Sequence, residues 1–90
     1  VLVFENDEDA IALANDTPYG LAAYFWTRKL SRAWRVAEQL EVGMVGLNDI
    51  AISGEATPFG GVKESGIGRE GSRYGLDDYL NVKYIAMGGI

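Results

Sequence analysis

The sequence predicts an α/β fold: strand-like apolar runs alternate with helical stripes, the connections are short, and a glycine-dense loop follows the third run. Strands alternating with helices favour parallel pairing through crossover helices. In open sheets of that kind, sites form beyond the carboxyl ends of the strands. The segment from Asn48 through Thr57 would leave such an end and lead into the loop.

Val1 to Phe4 reads as a buried strand, since its large apolar residues do not alternate with polar ones. Asn6 and Asp7 offer oxygens for a helix N-cap. The acidic run Asp7, Glu8 and Asp9 suits the positive end of a helix dipole better than it suits a cation. Ala10 to Ala14 continue that helix to about Asn15, where Thr17-Pro18-Tyr19-Gly20 stops it. Leu21 to Trp26 is a second strand. Ser31 is expected to cap a second helix, whose Ala33, Trp34, Val36, Ala37 and Leu40 share an apolar stripe. Gly43 ends it, and Met44 to Leu47 forms a third strand. Asn15 and Asn48 each close an element, which favours backbone capping over catalysis. Ser72 is expected to cap a short helix to about Leu80, and Asn81 to Met87 a last strand. Ile85 and Met87 give that strand apolar groups on both faces, so it should pair with another sheet rather than lie at an open edge.

Composition excludes several chemistries. The chain of 90 residues has no Cys and no His, hence no disulfide, no thiolate nucleophile and no imidazole base or zinc ligand. A net charge of −5 argues against a nucleic-acid partner, which would require clustered Lys and Arg. No apolar run approaches the ~18 residues that cross a membrane. The first residues lack the basic region of a signal peptide, leaving the cytoplasm as the default compartment. With no initiator Met, and with a strand-like run at its very start, the chain reads as a fragment or a processed product.

The loop runs Pro58-Phe59-Gly60-Gly61-Val62-Lys63-Glu64-Ser65-Gly66-Ile67-Gly68-Arg69-Glu70-Gly71. So many glycines would cost a helix or strand about 0.5–1 kcal/mol each, so the segment is a shaped loop at a site or an interface. Gly66 to Gly71 also fits Gly-x-Gly-x-x-Gly. A dinucleotide fingerprint needs a strand directly before it and a helix opening within it, and the residues Phe59 to Glu64 do not read as a strand. These glycines are therefore taken as loop geometry.

Three stretches resemble one family. Pro58 to Glu70 is similar to the C-terminal loop of NAD(P)-dependent aldehyde dehydrogenases. Asn15 to Ala23 resembles that family's Asn-x-x-x-Tyr-Gly-Leu-(Ala/Ser)-Ala turn, and Gly43 to Asn48 its Gly-x-Val-x-(Val/Ile/Leu)-Asn strand. The succinate-semialdehyde branch is the nearest likeness, through Ser53, the stretch Gly71 to Leu80, and the Lys83-Tyr84 to Ile90 ending. The resemblance implies an enzyme in which a cysteine thiolate attacks an aldehyde, hydride passes to NAD(P)+, and water releases the acid with help from a glutamate. It also implies that the nucleophile, the glutamate, the cofactor domain and a Glu-x-Phe-Gly-Pro motif all precede this segment. Neither Glu55 nor Glu70 sits in the motif of that glutamate, so neither is assigned its role.

By the same resemblance, Ser53 helps bind the distal carboxylate of the substrate by donating a hydrogen bond. Phe59 lines the aldehyde tunnel, and Ile52 is a further wall residue. The plain readings are a solvated loop serine and a loop anchor packed into the core. Arg69 and Glu70 could pair to fix the loop or reach a neighbouring subunit. The chain is then one segment, 1–90, with an α/β layer at 1–48, a substrate-tunnel loop at 49–71, and a helix and C-terminal strand at 72–90. It would contribute a loop and a homo-oligomer interface to an enzyme oxidising succinic semialdehyde with NAD or NADP. The 90-residue chain alone would bind no cofactor and be inert. Two rivals are a relative acting on another small aldehyde such as glutarate semialdehyde, and a free-standing module that self-associates through Asn81 to Met87.

Overall fold

A computed structural model describes residues 1–89; Ile90, the last residue of the ending singled out above, lies outside them. Helix α1 spans Asp7–Asn15. Asn6, extended at φ −146°, starts it, and its side-chain oxygen accepts the Asp9 N–H at 2.8 Å. The acidic first turn has a second role: Asp7 accepts from Arg32 Nε at 2.8 Å and from Arg35, and Glu8 accepts from Arg35 Nη1 at 2.8 Å. The hydrogen bond from Arg32, helped by Arg35 and opposed by partial desolvation, holds the Asp7 carboxyl below the usual carboxylate range.

Strand β1 is Tyr19–Gly20, within the stretch expected only to stop the helix, and β2 is Ala22–Phe25, the expected second strand shortened by one residue at each end. Helix α2 spans Leu30–Gln39. It begins one residue before the expected cap Ser31; Lys29 stands at the N-cap with no side-chain cap bond. The chain enters through a local turn in which Thr27 Oγ1 accepts the Lys29 N–H at 3.1 Å, and that turn, not Ser31, sets the start. Strand β3, Met44–Leu47, is where the sequence places it. It pairs in parallel with β2, from Ala22 opposite Met44 to Phe25 opposite Leu47, and α2 is the crossover between them. Asn48, in the left-handed region at φ 55° that asparagine tolerates, exchanges two 2.8 Å bonds with the Thr27 main chain beyond the carboxyl ends of both strands.

The helices pack as a layer, α1 on α2 and α2 on β3, with Ile11 and Ala33 at the buried centre. Asn15 joins the two helix ends: its amide donates to Gln39 O and its oxygen accepts the Glu41 N–H, both at 2.8 Å. Gly43 does not end α2 as expected, because the helix already stops at Gln39 with extended Leu40 at its C-cap. A side chain there would overlap the Gly60 carbonyl, so the glycine-rich loop rests directly on the backbone before β3.

Two expected strands are absent. Val1–Phe4 and Asn81–Met87 pair with nothing among the described residues, and their side chains stand in solvent, Val82 entirely so. A strand exists through its partner's hydrogen bonds, and the described residues supply none to either segment. The radius of gyration is 18.1 Å, against about 12 Å for a compact chain of this length. The accessible surface is 7492 Å², against about 5,200 Å² for a compact chain of this mass. No helix of the described residues is long and apolar enough to cross a membrane.

Candidate functional site

The glycine-rich loop folds back on itself. Phe59 and Glu70 face each other as an antiparallel pair and exchange both main-chain bonds, at 2.8 and 2.7 Å. Inside that rung, Arg69 Nη1 donates to Gly61 O at 2.8 Å and to Gly68 O at 2.7 Å. Arg69 therefore bonds to carbonyls and makes no ion pair with Glu70. Beyond these contacts, toward the tip of the loop, Val62–Lys63 forms a two-residue strand, β4, antiparallel to β1, a pairing the sequence did not suggest. Ser65 Oγ accepts the Gly20 N–H at 2.8 Å and closes the junction.

Lys63 holds the outer side of the loop. Its φ is 54°, unusual for a side-chain-bearing residue. Its ammonium donates to Asn15 O at 2.9 Å and Thr17 O at 3.3 Å and pairs with Glu41. Asn15 O is the last carbonyl of α1, the end where a cation is favoured, and Thr17 O lies just beyond it. Nothing in the local pattern marks Lys63 or Arg69 for these contacts, because the hydrogen-bond acceptors are main-chain oxygens, present at every position, and Glu41 is distant in sequence.

A cleft of about 410 Å³ opens along the inner side of the loop. Phe59, Leu21 and Tyr79 supply apolar wall, and Arg69, Glu70 and Asp78 supply charge of both signs. Phe59, half-buried, lines this cleft. Ile52, half-buried, and Ser53, exposed, lie on the connecting segment and are not among the residues lining this cleft. That segment is attached by a turn at Gly54–Thr57 and by the Ser72 N–H, which donates to Glu55 O at 2.8 Å. A 3-10 helix, Arg73–Tyr79, follows, with Ser72 Oγ accepting the Tyr74 N–H at 3.2 Å as expected of a cap.

The glycine run does not fit a dinucleotide. The strand before it is two residues long and the helix after it is of the 3-10 type, beginning beyond the run. The Asp78 carboxylate fills the space beside the Gly68 Cα, where a phosphate would have to approach. Among the described residues no group of His, Cys, Asp or Glu is arranged to hold a metal ion. The cleft contains neither a thiolate nucleophile nor an imidazole base, since the chain has no Cys and no His.

The sequence profile described as "Aldehyde dehydrogenase family" matches residues 1–85. The chain belongs to the aldehyde dehydrogenase family. It is 58% identical over all 90 residues to the succinate semialdehyde dehydrogenase of Acinetobacter baylyi and 58% identical over 90 residues to the glutarate-semialdehyde dehydrogenase of Pseudomonas aeruginosa, covering 19% of each. Among solved structures, the succinate-semialdehyde dehydrogenase from Burkholderia pseudomallei superposes with a TM-score of 0.88 at 60% identity, over 91% of this chain and 17% of that one. The chain thus spans about a fifth of the length of the curated relatives it matches. The α/β character read from the sequence agrees with these neighbours.

Proposed function

We propose that this chain forms the C-terminal part of the catalytic domain of an NAD(P)-dependent aldehyde dehydrogenase that oxidises succinic semialdehyde to succinate. The observation that carries the reading is the 58% identity, over the full 90 residues, to a succinate semialdehyde dehydrogenase. In this reading residues 1–48 supply an α/β layer, 49–71 the substrate-tunnel loop, and 72–90 a helix and a strand for homo-oligomer assembly. Val1–Phe4 and Asn81–Met87 become strands once neighbours pair with them. Their exposed apolar side chains support this, as does a second cleft of about 410 Å³, between α1, α2 and β2, lined by Phe4, Ile11, Trp26 and Val36. The enzyme works in the cytoplasm with NAD or NADP, held outside these 90 residues, and the chain by itself turns over no aldehyde.

Phe59 forms tunnel wall, Ile52 extends it, and Ser53 donates a hydrogen bond to the distal carboxylate of the substrate. The identity to a glutarate-semialdehyde dehydrogenase favours a second reading, a five-carbon substrate of the same chemistry. Steady-state kinetics of the full-length dehydrogenase on both semialdehydes and on an uncharged aldehyde separate the two. For Ser53→Ala the expected result is a KM raised about tenfold for the carboxylate-bearing aldehydes alone, the effect of one hydrogen bond to a charged group. Equal losses on the uncharged aldehyde would remove Ser53 from the site. Absence of semialdehyde oxidation would overturn the reading as a whole.

A further inference from the structure

Arg32, Arg35 and Lys63 each sit on a carboxylate. Arg69, half-buried, has no carboxylate within 4 Å among the described residues. Its guanidinium instead bridges two main-chain carbonyls seven positions apart, Gly61 O and Gly68 O. Its stem covers Gly60, where an added Cβ would come within 2.8 Å of Arg69 Cδ and 2.7 Å of Gly68 O. Two residues out from each of these carbonyls stands the Phe59–Glu70 pair with its two main-chain bonds. The neck of the loop therefore has two rungs, one of main chain and one made by the guanidinium, and Phe59 stands on the first with Gly60 wedged against the second. A cation that satisfies carbonyls from both sides of a glycine-rich neck fixes a distance that glycines alone leave free.

We propose that Arg69 is a positioning residue: by clamping Gly61 to Gly68 it sets the place of the Phe59 ring, and through that ring the fit of the aldehyde. The proposal rests on the reading of Phe59 as tunnel wall.

The test uses the full-length dehydrogenase with Arg69→Met, which keeps an apolar stem and removes the donors, Arg69→Lys, which keeps one charged donor, and Phe59→Ala. Hydrogen exchange in peptides spanning 58–71 and KM and kcat for succinic semialdehyde are read together. Arg69→Met is expected to exchange about tenfold faster across 58–71, with α1 and α2 unchanged, and to raise KM about tenfold with kcat nearly constant, as loss of a charge-assisted bond that acts on binding should. Arg69→Lys falls between Arg69→Met and the parent. In the Phe59→Ala background, Arg69→Met has no further effect on KM, because the two residues act as one unit. Unchanged exchange over 58–71, or a KM effect that persists without the Phe59 ring, would overturn the proposal. Should Arg69→Met fail to fold, the same two criteria apply to Arg69→Lys. A parent enzyme that ignores succinic semialdehyde would refute the functional reading, while the exchange comparison would still decide the clamp.

Discussion

The Lys63 ammonium donates to the Asn15 carbonyl at 2.9 Å, across 48 positions of sequence, and so ties the glycine-rich loop to the end of helix α1. Asn15 in turn bonds through its side chain to Gln39 and Glu41, so one asparagine links both helix ends and the loop. The site-bearing loop is thus fastened to the α/β layer by specific bonds rather than by a large core.

Two replacements at Lys63 separate its side chain from its backbone. Lys63→Met keeps the left-handed φ and loses every contact of the ammonium; Lys63→Gly loses the same contacts but relieves the backbone. In chemical unfolding of the full-length protein, Lys63→Met is expected to cost about 1–3 kcal/mol and Lys63→Gly measurably less. Equal losses would show that the backbone at Lys63 carries no strain.

Gly43→Ala tests the contact between the layer and the loop. Its methyl must displace the Gly60 carbonyl, and overpacking of this kind costs about 1–3 kcal/mol. The melting temperature is expected to fall, and exchange in peptides spanning 58–71 to rise along with it. A lower melting temperature with unchanged exchange would mean that the strain is absorbed in the turn before β3 instead.

Acid should loosen α1 from α2. The folded-state pKa of Asp7 is depressed, so its contribution is complete above the unfolded-state pKa and is lost as pH falls through the lowered folded value. Near-ultraviolet signals from Trp26 and Trp34 are expected to change over that acid window in the parent. In Asp7→Asn, which has no titrating carboxyl there, the change should be diminished.

Elements that depend on local chemistry were legible in the sequence. Asn6 caps α1, Ser72 caps the 3-10 helix, Met44–Leu47 is a strand, and Asn48 binds backbone, all as the residue types suggest. Elements that depend on distant partners were not. Val1–Phe4 and Asn81–Met87 have strand composition but no neighbour, and β4 exists because Tyr19–Gly20 happens to lie beside it. Ser31 looked like a cap until Thr27 organised the turn ahead of it. Phe59, singled out through its motif, lines a cleft. Lys63 and Arg69 were hidden, because a carbonyl acceptor leaves no mark in the amino-acid code.

The frame of the loop is built from peptide groups: Phe59 with Glu70, Val62 and Lys63 with β1, and Gly61 and Gly68 through one guanidinium. Side chains that take no part in those bonds leave the shape of the frame to the main chain, and Ile67, fully exposed on the lining of the cleft, is the clearest case. Such a loop separates inheritance of form from choice of residue. A lineage, or a protein engineer, can vary position 67 and its exposed neighbours to try new surface chemistry while the curve of the backbone is passed on intact.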